Sequence, residues 1–223
     1  MAAKRSDLER HSTSIQQIAP VLQKLQSESD RCVANARDRL SHITYEGLLA
    51  VYNLRMNVPP QLLNVGRLVL VALENTSSPQ WGQFRDVIAT RAVNDDTAKW
   101  EIKVNENFLS QLLSLDFERI ASHPGKAMYF ASMLKHEEEV SKTGTSNKLA
   151  TAVIESLSFW AHRVNEYCYL AQTINPMKRR NEQHKTASEE LSRNILAVEC
   201  DFNSLVDKRD YECKLVETIN VHF

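Results

Sequence analysis

Glycine is scarce in this chain, with 5 among 223 residues, and aromatics make up only 7 %. Sheets draw on glycine at turns and bulges, so its scarcity favours helices. Cysteine is limited to Cys32, Cys168, Cys200 and Cys213, with no C-x-x-C pair. Neither a zinc site nor a disulfide framework is indicated, and a reducing cytosolic setting is the default. An excess of charge of either sign is also lacking. The formal net charge is -1, which gives no global pull toward nucleic acid or membrane. No apolar run approaches the ~18 residues of a membrane span. Met1 to Arg10 is polar and charged, unlike a signal peptide.

Catalytic signatures are missing as well. His136-Glu137-Glu138-Glu139-Val140 begins like the metalloprotease H-E-x-x-H, but Val140 stands where the second histidine is needed. Gly144-Thr145-Ser146-Asn147-Lys148 lacks the G-x-x-x-x-G-K-[ST] pattern of a phosphate loop. The expectation is a chain that is not itself an enzyme and carries no metal or cofactor.

What the sequence does have is two long helical seams, one at each end. Ile15, Ile18, Leu22, Leu25, Ser29, Cys32, Ala36 and Leu40 follow a 3-4-3-4 spacing with one slip. Leu191, Ile195, Val198, Phe202 and Leu205 repeat the spacing near the other end. Seams of similar length at both ends fold most simply against each other. The predicted fold is mainly α: an antiparallel coiled-coil hairpin capped by a small helical head, with a short β-hairpin inserted in the head. Residues 1–57 form the first arm, 58–175 the head and 176–223 the second arm.

Punctuation sets those boundaries. Ser6 or Asp7 is positioned to cap the first helix. Pro20 is expected to kink or reset it, and Thr44 to Gly47 marks a break. Pro59-Pro60 ends the first arm, and Pro176 precedes the second. Within the head, Leu62 to Leu73 is almost wholly apolar and reads as a buried helix ended by Thr76-Ser77-Ser78-Pro79. Trp81 to Ile88 reads as a short helix. Trp100, Ile102 and Val104 alternate with Glu101 and Lys103, a period of 2 that predicts a strand. Asn94-Asp95-Asp96 is turn chemistry, and Val87 to Val93 supplies the partner, so the insertion covers about residues 87–104. Helical spacing returns at Phe108 to Leu115, from Lys126 to Val140, from Lys148 to about Thr173, and from Lys178 to about Asn220, with a polar loop at Ser141 to Ser146. Leu157, Trp160, Val153 and Val164 read as core rather than as a ligand pocket, while Trp100 on the hairpin has little core to enter.

The order of these signals resembles the stalk tip of dynein heavy chains. Pro59-Pro60 follows the first arm, and Trp81 falls where that family has a tryptophan after its first helix. Phe108-Leu109-Ser110-Gln111-Leu112-Leu113-Ser114-Leu115-Asp116-Phe117-Glu118-Arg119-Ile120 is similar to the family's F-L-x-x-L-x-x-(Y/F)-D-(K)-x-x-I segment. Thr151 to Trp160 is similar to its S-x-A-x-x-x-L-x-x-W helix, with Tyr167 seven residues on. The gap between Trp81 and Phe108 is longer than in cytoplasmic members and falls where some axonemal dyneins carry a β-hairpin flap. The family's F-x-P-E-like stretch is absent between Ile120 and Thr151. Phe159 stands where a basic residue is usual.

The resemblance implies that the head binds microtubules and that coiled-coil register sets its affinity. The partners implied are tubulin and the remainder of a dynein heavy chain, whose ATPase ring would lie outside this segment. The location implied is cytoplasm and cytoskeleton, extending to the axoneme of a cilium. The candidate contact residues it implies are Asn64, Arg67, Ser110, Gln111, Lys148, Glu155, His162 and Arg163. Between Val58 and Asn175 stand 11 Lys/Arg and 13 Asp/Glu, a balance of −2. Attraction to acidic tubulin therefore needs a local patch gathering Arg67, Lys126, Lys148 and Arg163. Small seam residues such as Ser29, Cys32 and Ala36 would leave the seam weak enough to slip. A reading of a different class is a coiled-coil adaptor whose head binds another protein.

Overall fold

The structure, a computed structural model, describes residues 2–54, 58–74, 79–94, 99–139 and 147–221. Among them are α1 (Ala2–Ser41), α2 (Tyr45–Tyr52), α3 (Pro60–Glu74), α4 (Trp81–Ile88), β1 (Ala89–Asn94), β2 (Lys99–Val104), α5 (Asn107–Leu113), α6 (Phe117–Ala121), α7 (Pro124–Glu139) and α8 (Lys148–Val221). The molecule is mainly α with one two-stranded antiparallel sheet. Two compact units divide it. One combines Met1–Lys24 with Ile174–Phe223, and the other is Leu25–Thr173. The division falls inside α1 and inside α8.

Prolines end fewer helices than their positions suggest. Pro20 lies inside the 40-residue α1, and Pro176 lies inside the 74-residue α8, which continues through it. A single proline removes one backbone donor and crowds the preceding turn. Packing along the rest of a long helix offsets that loss, so neither residue breaks its helix. Pro60 instead starts α3, where its missing N–H is no handicap. No cap at Ser6 or Asp7 is needed, because α1 is already helical from Ala2. The expected break after α1 is real. Thr44 is extended, and its hydroxyl accepts from the Gly47 backbone N–H at 3.1 Å to start α2.

In the first unit, residues 2–24 of α1 pair with α8 in antiparallel order. Arg5 Nη2 meets Glu199 Oε1 at 2.6 Å, and His11 Nδ1 meets His184 Nδ1 at 2.9 Å, so rising numbers on one helix face falling numbers on the other. Leu22, Ile174, Asn181 and Ile195 are buried on this seam, while Ile15, Ile18 and Leu191 are half-buried. The predicted seam fails at its far end. Val198, Phe202 and Leu205 are 39 %, 64 % and 64 % exposed, although Glu199 beside Val198 meets Arg5 of α1.

The second unit holds the main core. Leu25 is half-buried, and Cys32, Ala36 and Leu40 of α1 are buried in it. Their 3-4 spacing therefore faces a multi-helix core as well as α8. α3 is apolar on most sides, as expected, with Leu62, Val65, Leu68, Val69 and Leu70 fully buried. Trp160 of α8 meets Phe130 of α7 edge-on at 6.1 Å. Phe84 of α4 meets Phe108 of α5 at 6.3 Å. Gly47 is needed where α2 crosses α8, since a Cβ there would stand 2.6 Å from Val153 Cγ2.

The β-hairpin pairs Ala89 with Val104 through to Asn94 with Lys99. Ala89 and Val104 are buried at its base, and Trp100 is 73 % exposed toward its tip. The expected turn at Asp95-Asp96, the helix end at Thr76 to Ser78, the loop at Ser141 to Ser146 and Val140 lie outside the described residues. Asn105 joins the sheet to α5. Its backbone N–H donates to the Ile88 carbonyl, its side-chain amide donates to the Val87 carbonyl, and its Oδ1 accepts from the Asn107 N–H.

Candidate functional site

The eight candidate residues lie on α3, α5 and α8 of the second unit. Arg67 is exposed and Asn64 half-buried on α3, whose other faces are apolar and buried. Gln61, at the start of the same helix, donates to the Ser158 hydroxyl at 3.1 Å and so ties α3 to α8. Ser110 and Gln111 are exposed on α5, with the Ser110 hydroxyl turned back to the Asn107 carbonyl. Lys148 is exposed in the first turn of α8, next to Asn147, whose Oδ1 accepts from the Leu149 and Ala150 N–H groups. His162 is half-buried.

Glu155 and Arg163 have charged partners inside the molecule. Glu155 forms a 4.0 Å ion pair with Arg39 of α1. Arg163 pairs with Glu166, and its guanidinium lies 5.0 Å over the Phe159 ring. Phe159 occupies the position where the resemblance leads one to expect a base. An aromatic face holds a cation favourably, so Arg163 is held by both the Phe159 ring and Glu166. Lys126, the remaining member of the expected basic patch, is held below the ordinary lysine range by burial and by Arg119.

Beside these residues, α1, α6 and α8 meet through polar groups. The Tyr167 hydroxyl donates to Glu118 Oε2 at 3.1 Å, and its ring meets Phe117 edge-on at 5.6 Å. Burial, then Glu118, push Tyr167 up to about 12, against an opposing hydrogen bond from Ser29 of α1. One turn along α1, burial and then Glu166 push the Cys32 thiol up to about 11, with Arg163 and Arg31 opposing. Ser29 and Cys32 are thus more than small residues in a weak seam, because each has a polar partner on α8.

Cys168 is buried, and burial followed by the Glu118 charge push it up to about 12. Cys200 and Cys213 are exposed. Thiolate is the reactive form, so the four cysteines should separate cleanly. With iodoacetamide at pH 7.5, peptide mass spectrometry should find Cys200 and Cys213 modified first and Cys32 and Cys168 protected until the chain unfolds. Equal labelling of all four would contradict the packing described for Cys32 and Cys168.

A cavity of about 160 Å³ lies between α7 and α8, lined by Ala127, Met128, Ala131, Asn165, Cys168 and Tyr169 among others. Among the described residues, no group of three or more His, Cys, Asp or Glu gathers to hold a metal ion. Among them, too, no helix is long and apolar enough to cross a membrane. No protein-family model matches this chain, and no curated protein matches it.

Proposed function

We propose that the chain is the distal stalk of a dynein motor with its microtubule-binding head, of the axonemal kind, and that the register of α1 against α8 sets the affinity of the head for tubulin. The reading rests on the order of head residues from Pro59-Pro60 through Phe108–Ile120 to Trp160 and Tyr167. The observation that carries it furthest is the continuity of α1 and α8, since each contributes to both units. Sliding one helix along the other by part of a repeat exchanges seam partners and gives discrete registers. In the second unit that movement would have to break or remake the contacts of Ser29 and Cys32 with Tyr167 and Glu166. Through Tyr167 it would reach Glu118 and α6. In this account the segment binds and transmits, and nucleotide hydrolysis belongs to the rest of the motor.

Arg67 and Lys148 are the exposed cations on α3 and α8 among the candidates, whereas Arg163 is paired with Glu166. Co-sedimentation with microtubules tests the reading. The chain should pellet at low salt and be released as salt rises, because exposed charges are screened within a Debye length of ~10 Å at 0.1 M. Reversing either cation, as in Arg67→Glu or Lys148→Glu, should weaken binding by about 3- to 10-fold each, mostly through slower association. Failure to pellet at any salt concentration would sink the proposal.

One observation favours the adaptor reading. Val198, Phe202 and Leu205 form an exposed apolar stripe at seam spacing, which suits pairing with a helix of another chain. Sedimentation velocity separates the two. A monomer that pellets with microtubules supports the stalk, and an oligomer that does not supports the adaptor.

A further inference from the structure

We propose that His11 and His184 form a two-histidine site for a divalent transition-metal ion of the kind imidazole nitrogens hold, Cu²⁺ and Ni²⁺ among them. The two rings come from opposite helices of the first unit, and their Nδ1 atoms stand 2.9 Å apart. Two nitrogens at right-angled positions on a metal with bonds of about 2.0–2.1 Å would be about 2.9 Å apart, and at tetrahedral positions about 3.4 Å. The present spacing is that of a hydrogen bond between the rings, and a small movement of either ring reaches either geometry. The rings are tilted by 53° with centroids 5.2 Å apart.

The present hydrogen bond needs one ring to donate from Nδ1 and the other to accept. For both Nδ1 atoms to bind an ion, the donating ring moves its proton to Nε2. No proton is lost and no redox partner is required. Both rings are half-buried, which leaves a side open to the ion and to waters filling its remaining positions. Nearby cations are largely matched by carboxylates on their own helices. Arg10 pairs with Asp7 at 3.4 Å on α1, and Lys185 pairs with Glu182 at 3.1 Å on α8, while Arg180 is exposed one turn before His184. Asn181, on the same seam, is only 6 % exposed and its Oδ1 has no hydrogen-bond partner, so the polar character of this stretch extends beyond the two rings.

The site stands independently of the tubulin proposal, because metal binding is measured without microtubules. Titrating the full chain with Ni²⁺ at pH 7.5 should give a site of ion-to-chain ratio near one and raise the melting temperature. His11→Gln and His184→Gln should each weaken that binding by about tenfold or more and abolish the melting shift. His42→Gln, changing an exposed histidine elsewhere, should leave both unchanged. As a measurement that needs no substitution, the electron paramagnetic resonance spectrum of the Cu²⁺ complex should show two nitrogen ligands. Binding by the His11 and His184 variants equal to that of the parent, or a Cu²⁺ spectrum with a single nitrogen, would overturn the proposal.

Discussion

Replacing Trp160 by alanine should destabilise the Leu25–Thr173 unit by about 3–5 kcal/mol, among the largest single-residue effects expected in this protein. Trp160 is fully buried, and its ring is set edge-on against Phe130 of α7. Truncation removes a large apolar surface from the core and leaves a cavity that rigid neighbours on α7 and α8 cannot collapse to fill. Trp160→Phe should cost clearly less, because most of the ring volume and the aromatic contact survive. The indole Nε1 is buried with no hydrogen-bond partner, so losing that group carries no bond with it. Urea denaturation followed by circular dichroism measures both. An alanine variant with wild-type stability would contradict the core described above.

Phe84→Ala should cost a similar amount, about 3–5 kcal/mol, and its context gives a sharper test. The Phe84 ring is fully buried between Trp81, at 5.5 Å, and Phe108, at 6.3 Å. It also lies against Gly66 of α3, where a Cβ would stand 2.9 Å from Phe84 Cδ1. Gly66→Ala alone should therefore destabilise, even though alanine is the better helix former by about 1 kcal/mol. With Phe84→Ala already present, the clash is gone and Gly66→Ala should become neutral or stabilising. Denaturation of the two single variants and the double variant reads this coupling directly. Simple additivity would show that the ring does not rest on Gly66.

These residues also show how far the sequence speaks for itself. α3, α4 and the hairpin are legible because their signals are local: an unbroken apolar run, a short amphipathic segment after Pro79, and strict alternation from Trp100 to Val104. Pro20 and Pro176 mislead because the loss of one backbone bond is a local penalty, whereas the helix they sit in is stabilised along its whole length. The spacing of Ser29, Cys32, Ala36 and Leu40 reads as a coiled-coil seam. It equally fits a helix packed on a globular core, and nothing in the 3-4 repeat distinguishes the two. Val198, Phe202 and Leu205 keep the repeat yet lie exposed, so the 3-4 spacing alone does not bury a side chain. The candidate contact residues came from resemblance, and their intramolecular partners did not. That Glu155 faces Arg39 and Arg163 lies over Phe159 depends on tertiary packing. The His11–His184 pair was within reach, because His184 falls on the seam seven residues before Leu191 and His11 four before Ile15.

The central claim is that register governs microtubule binding. Its most direct test compares two forms of the chain locked by engineered disulfides between α1 and α8. One holds the register that sets His11 against His184, and the other holds α8 displaced by half a heptad, about 5 Å at ~1.5 Å per residue. Microtubule co-sedimentation at low salt should give affinities that differ by a factor on the order of ten between the two forms, with both falling as salt rises. Equal, salt-insensitive pelleting of the two locked forms would contradict the account.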